Sequence, residues 1–150
     1  MTKREIAENY FKEGHNCAQA VALAFKEEVN MEEKPLAMMV SGFGGGFGRL
    51  REVCGAVSGM VAILNMLEGC YDPKDSSSKA EIYKKVQYVA NKFKEKNGSI
   101  VCRELLNMPE EVKSHIPDAR TTEYYKKRPC VSLVGDAAEI LEDYLKNGMK

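Results

Sequence analysis

The sequence predicts an all-α fold, a bundle of about six helices with one glycine-rich connector. Apolar residues recur at helical intervals in every long segment. No stretch gives a convincing strand, and no internal repeat is visible. Helix punctuation, with Asn, Ser or Pro before and Gly after, brackets the periodic stretches. The chain has 150 residues, 44% of them hydrophobic, which suits one helical domain over residues 1–150 with its own core.

Ile6, Tyr10 and Phe11 mark one face of a first helix. Val21, Phe25 and Val29 repeat at every fourth residue in a second. Its opening run, "CAQAVALAF", is apolar nearly all round and therefore central. "KPLAMMVSG" predicts a short helix that stops at Gly42. Beyond the glycine run, "EVCGAVSGMVAILNMLEG" is a buried helix ending at Gly69. "YDPKDSSSK" is a turn that offers serine N-caps to the helix after it. There, Ile82, Val86, Val89 and Phe93 form the clearest amphipathic face of the chain, ended by Asn97-Gly98. "SIVCRELLNM" starts another short helix, with Ser99 as N-cap and Cys102 at the third helical position. Prolines break "PEEVKSHIPDARTTEYYKKRP" into helical turns and loop. In the last helix, "CVSLVGDAAEILEDYLKNG", Val134, Ala138, Leu141 and Leu145 face inward, and Pro129 fits its first position.

Charge excludes some functions. Lys plus Arg is 22 and Asp plus Glu is 22, so the chain is formally neutral. No basic face is visible, which argues against nucleic-acid binding. "MTKREIAENYFKEG" has no apolar h-region, and no run of about 18 apolar residues exists, so neither a secretory signal nor membrane insertion is expected. The expected compartment is the cytoplasm. The five cysteines are Cys17, Cys54, Cys70, Cys102 and Cys130. An odd count without a signal peptide points away from a disulfide framework and toward buried thiols, metal ligands or redox groups.

The stretch "GFGGGFGRLREVCGAVSG", from Gly42 to Gly59, admits three uses. As a phosphate cradle it fits neither the Rossmann spacing nor the Walker form, and no strand precedes it. As a connector it is simply flexible and closely packed. As a wall, its missing Cβ atoms leave room for a sulfur, a cluster or an opposing backbone. The wall reading selects Gly45, Gly46, Arg49 and Gly55. Gly55 and Gly59 also make a small face on the following helix, which lets a neighbouring helix come close. Arg49 and Arg51 are ordinarily solvated charges; near Cys54 they can lower a thiol pKa or meet an anion.

Cys17, Cys54, Cys102 and Cys130 share a placement, in the first turn of an expected helix. A helix N-terminus carries partial positive charge that favours a thiolate, and the thiolate is both nucleophile and metal ligand. No Cys-x-x-Cys pair is present, so any shared site must be assembled by packing. The bland alternative for each is a small buried hydrophobe, and Cys70 after Gly69 fits that reading best. His15 and His115 read as surface or capping residues, although His15 lies two residues before Cys17.

"HNCAQAV" around Cys17, "CGAVSG" over 54–59, and the single cysteines 102 and 130 resemble the C_GCAxxG_C_C family over nearly the whole chain. Its signature appears here as Cys54-Gly55-Ala56-Val57-Ser58-Gly59, with Val53 where the family label prints glycine before the cysteine. The resemblance implies redox activity and selects Cys17, Cys54, Cys102 and Cys130, leaving out Cys70. A related domain occurs in split-Soret cytochromes, which also carry an iron–sulfur centre. This chain lacks the Cys-x-x-Cys-His haem motif, so haem does not carry over.

The residues and the resemblance together leave three functions. One is a redox site of the four cysteines, working with an unidentified redox partner by thiol–disulfide exchange or through a [2Fe–2S] cluster, for which four thiolates are the usual ligands. Another is a structural Zn site, which the same four thiolates suit. The third needs no cofactor: a helical interaction protein, with a homodimer formed through the small-residue helix as one form of it. A nucleophilic enzyme is weaker, because no Cys–His–Asn/Asp set stands out.

Overall fold

A computed structural model describes residues 1–108 and 114–149. The described chain is all-α, in the order α1 Lys3–Lys12, α2 Cys17–Leu23, α3 Lys26–Val29, α4 Glu33–Met39, α5 Gly44–Phe47, α6 Gly55–Glu68, α7 Ser76–Asn97, α8 Cys102–Leu105, α9 Thr122–Lys127 and α10 Cys130–Asn147. These are ten helical segments where about six helices are expected. The excess comes from short turns: α3, α5 and α8 have four residues each. The expected second helix is one source. It breaks after Leu23, where Phe25 takes φ −111° and is buried. Its amide donates to the Ala22 carbonyl at 3.0 Å, a tighter turn than the α-helix makes.

Local chemistry sets the starts. Thr2 and Glu5 cap α1 reciprocally, and Asn16 and Gln19 do the same for α2. The serines expected to cap α7 lie inside its first turn; Asp75 caps it, accepting from the amides of Ser77 and Ser78. Ser99 does not cap α8 either. Its hydroxyl accepts from the Val101 amide at 2.9 Å and donates to Glu104 at 2.6 Å. This turn leaves Val101 as the N-cap and makes Cys102 the first helical residue rather than the third. Pro129 is the N-cap of α10 and Cys130 its first residue. Cys54 is the N-cap of α6, with extended backbone, and not a helical residue.

Helix α2 is central, as its composition predicts. Ala18, Ala20, Val21, Ala22 and Leu23 are all buried, and α1, α4, α6 and α10 pack around it. Its closest neighbour is α6. A Cβ at Gly59 would come 2.5 Å from the Ala18 carbonyl oxygen, so this crossing requires glycine. The small face of α6 is therefore covered by α2 of the same chain. Helix α1 lies along α10, and α7 closes the bundle against α6 and α10. Fully buried Phe11, Phe25 and Phe93 anchor this core, each worth about 1.5–3 kcal/mol of burial. Buried Asp136 of α10 pairs with Arg4 of α1 and, at 3.1 Å, with Lys96 of α7, tying three helices together. No helix among the described residues is long and apolar enough to cross a membrane.

Candidate functional site

Four helix starts border one cavity of about 370 Å³. Cys17 enters from α2, Cys54 and Gly55 from α6, Cys102 from α8 and Cys130 from α10. Cys54, Cys102 and Cys130 are buried and Cys17 is half-buried. Cys70 is exposed past the end of α6 and is not among the lining residues.

Cys54 and Cys102 are brought to one wall by a device that the periodicity does not reveal. Val53 and Val101 form an isolated antiparallel bridge. The Cys54 amide donates to the Ile100 carbonyl at 2.8 Å, and the Cys102 amide donates to the Glu52 carbonyl at 2.6 Å. Two short extended segments thus bring both cysteines to the cavity, and the amide of each is bonded across the bridge.

The glycine run packs beside this pairing. The Gly48 amide donates to Gly42, Arg51 to Gly45 and Glu52 to Gly46, folding the loop back on itself. Gly45 and Gly46 have φ 68° and 72°, inside a segment that is only nominally helical. A Cβ on Gly46 would come 2.6 Å from the Cys102 Cβ and 2.8 Å from the Arg51 Cα. A Cβ on Gly55 would come 3.2 Å from the Cys17 Cβ. Gly45, Gly46, Arg49 and Gly55 all line the cavity. Phe47, Arg49 and Arg51 also take positive φ, which is uncommon for such side chains.

Residues 114–130 complete the lining, in contact with the glycine loop through Arg49 and Arg51. Arg120 anchors this segment. Its guanidinium donates to the carbonyls of Phe11 at 2.7 Å and His15 at 2.9 Å, and lies 4.0 Å over the Phe11 ring. Asp118 receives Arg49 at 3.1 Å, Arg51 at 3.6 Å and Arg128 at 2.9 Å. His115 lines the cavity and is exposed, while half-buried His15 turns its ring edge to Tyr10. Part of the proline-broken segment, residues 109–113, lies outside the described residues.

The four sulfurs ionise differently. The Cys130 thiol is held down, to about 7, chiefly by hydrogen bonding from the Cys17 thiol, against burial, with help from the Tyr124 hydroxyl and from Arg128 and Arg120. Cys17 is pushed well up, first by that same hydrogen bond to Cys130 and then by burial. Burial drives Cys54 up to about 12, although the Ala56 and Val57 amides at the start of α6 favour its thiolate. Burial also raises Cys102, opposed by Arg51, whose Nη1 lies 3.6 Å from its sulfur. Helix starts alone therefore do not make four thiolates. Arg51 reaches Cys102 and not its sequence neighbour Cys54.

Tyr124, Asp118, Arg120 and Arg128 are absent from the sequence-derived site. Their signal is weak: a mix of Arg, Tyr and Asp in a segment that reads as loop. Among the described residues, no three Cys, His, Asp or Glu side chains gather closely enough to hold a metal ion. The donor chemistry of four thiols suits a cluster or zinc, and Cys130, Cys54 and Cys102 all lie close enough to Cys17 to raise its pKa.

A family model described as "Putative redox-active protein (C_GCAxxG_C_C)" matches residues 15–144. That span covers most of the chain and includes all of Cys17, Cys54, Cys102 and Cys130. No curated protein and no solved structure matches the chain. The chain belongs to the C_GCAxxG_C_C family.

Proposed function

We propose that this C_GCAxxG_C_C protein is a dithiol redox protein in which Cys130 attacks and Cys17 resolves. The observation that carries the reading is placement: Cys17 and Cys130, each the first residue of its helix, line the same cavity, and each shifts the other's ionisation, Cys130 down and Cys17 up. A thiolate beside a protonated thiol is the arrangement that exchange needs.

The reaction balances without a cofactor. The Cys130 thiolate attacks one sulfur of a substrate disulfide, forming a mixed disulfide and releasing the other half as a thiolate. The Cys17 thiol gives its proton to that thiolate. The resulting Cys17 thiolate attacks the Cys130 sulfur, closing a Cys17–Cys130 disulfide and releasing the second half as a thiolate, which takes from solvent the proton that Cys130 gave up on ionising. Two protein thiols are oxidised and one disulfide is reduced to two thiols. Tyr124 and the nearby arginines hold the Cys130 thiolate between turnovers. Cys54 and Cys102 stay protonated in the same cavity, held up by burial.

The second reading is a [2Fe–2S] cluster or Zn held by the four cysteines, favoured by the chemistry of the donors. Anaerobic purification with metal analysis, a visible spectrum and a thiol count separates the two. Thiol exchange predicts a colourless, metal-free protein that loses two thiols to one equivalent of disulfide. A stoichiometric metal whose removal exposes all four cysteines supports the second reading instead.

A further inference from the structure

The chain is neutral overall, with 22 basic and 22 acidic residues. The cavity wall is not. Among the described residues lining it, Arg49, Arg51, Arg120 and Arg128 face one carboxylate, that of Asp118. Asp118 Oδ2 is shared by Arg49, Arg51 and Arg128 at 3.1, 3.6 and 2.9 Å. Arg120 spends its guanidinium on two backbone carbonyls. One carboxylate charge among three guanidiniums leaves an excess of positive charge in a concave site, where the field is focused.

Arg51 is the extreme case. It is 3% exposed, yet its Nε has no hydrogen-bond partner among the described residues. Its Nη2 lies at the long distance from Asp118 just given, and its Nη1 reaches only a sulfur. A buried cation with an unused donor is costly unless a further group meets it. Guanidinium geometry suits a carboxylate best, through paired N–H donors.

We propose that the cavity takes an anionic substrate: a small disulfide bearing a carboxylate. The carboxylate sits among Arg49, Arg51 and Arg128, partly replacing Asp118, and the disulfide faces Cys130. A volume of about 370 Å³ suits a small ligand. The sulfur half of this assignment rests on the thiol-exchange reading; the anion half rests on the arginines alone.

The test uses the full reduced chain and three symmetric disulfides: dithiodipropionate, bis(2-hydroxyethyl) disulfide and cystamine, which are anionic, neutral and cationic. For each reagent the wild-type rate is divided by the rates of Arg51→Gln and Arg128→Gln, which cancels the reagent's own reactivity. Because Arg128 also favours the Cys130 thiolate, the ratio for the neutral disulfide serves as each variant's baseline; the ratio for the anionic disulfide should exceed that baseline about tenfold and the ratio for cystamine should fall below it. Added salt should shrink the anionic ratio. Thiodipropionate, which has no S–S bond, is titrated in parallel by calorimetry and should bind wild type more tightly than either variant. Exchange with equal ratios for all three reagents, and no thiodipropionate binding, overturns the anion assignment while leaving thiol exchange standing. Thiodipropionate binding without any exchange retains the anion site and overturns the exchange reading. If Arg51→Gln fails to fold, Arg128→Gln and wild-type calorimetry still decide.

Discussion

The cavity has two sulfur-bearing walls built on the same plan, a cysteine at a helix start, and they end in opposite chemical states. On one wall Cys130 opens α10 and is held down to about 7. On the other Cys54 precedes α6 and is pushed up to about 12. Both feel a helix N-terminus, so the macrodipole does not decide between them. The neighbours decide. Cys130 has a thiol donor, a phenol donor and two arginines. Cys54 has two backbone amides; its desolvation, with the neighbouring Cys102 and Cys130 sulfurs, outweighs them. A dipole of half a charge is a background; a donor aimed at the sulfur sets the result.

The sharpest way to break the comparison is to remove each sulfur. Cys130→Ser should abolish exchange with any small disulfide, and Cys17→Ser should stall it as a mixed disulfide on Cys130, both seen by intact mass. Cys54→Ala should leave exchange unchanged and cost about 1 kcal/mol in denaturant unfolding. Loss of exchange in Cys54→Ala with retention in Cys130→Ser would reverse the roles of the walls.

Ionisation gives the next largest effect. With Cys130 near 7, about half of it is thiolate at neutral pH, against a few per cent for an ordinary thiol. Its alkylation by iodoacetamide should rise through a midpoint near 7, while Cys54 should react only in strong base. The sign for stability follows from linkage. Cys130 is depressed from 9.0 to about 7, so its stabilisation is complete above 9.0 and is lost as pH falls through 7. Cys54 is raised from 9.0 to about 12, so its stabilisation holds below 9.0 and is lost as pH climbs toward 12. The thiol contribution to reduced-state stability should therefore peak near the ordinary thiol value. A midpoint near 9.0 for Cys130 alkylation would remove the difference between the walls.

Gly46 tests what holds the Cys102 wall. Gly46→Val should destabilise by about 1–3 kcal/mol from its left-handed backbone. Overpacking against Cys102 and Arg51 should add about 1–3 kcal/mol. Helicity should persist, because the long helices lie elsewhere, while Cys102 becomes more reactive. Unchanged stability and reactivity would mean that the glycine loop is only a connector.

The smallest expected effect is at Cys70, which stands outside both walls. Cys70→Ser should change stability by less than about 0.5 kcal/mol and leave exchange unchanged.

How much of this was legible in the sequence depends on what each part is made of. The helices were legible because burial imposes a period: Val21 and Phe25 in the central segment, and Ile82, Val89 and Phe93 in α7, announce their inward faces. The Gly55–Gly59 face was legible for the same reason, although its partner turned out to be α2. Boundaries were less so, since Asp75 and Ser99 take capping and turn roles that depend on a few local side-chain hydrogen bonds. The cavity's electrostatics were not legible. Arg51 meets Cys102, fifty-one positions away, through the Val53–Val101 bridge, which is too short to leave any alternation. Arg120, Asp118 and Arg128 act from a segment whose conformation is set by tertiary contacts, and such contacts have no period.

Which sulfurs pair is the most direct test of the dithiol site. The full reduced chain is treated with one equivalent of disulfide, alkylated without reduction, digested and mapped by mass spectrometry. The account predicts one disulfide, Cys17–Cys130, with Cys54, Cys70 and Cys102 alkylated as free thiols. A Cys54–Cys102 disulfide with Cys130 free would contradict it.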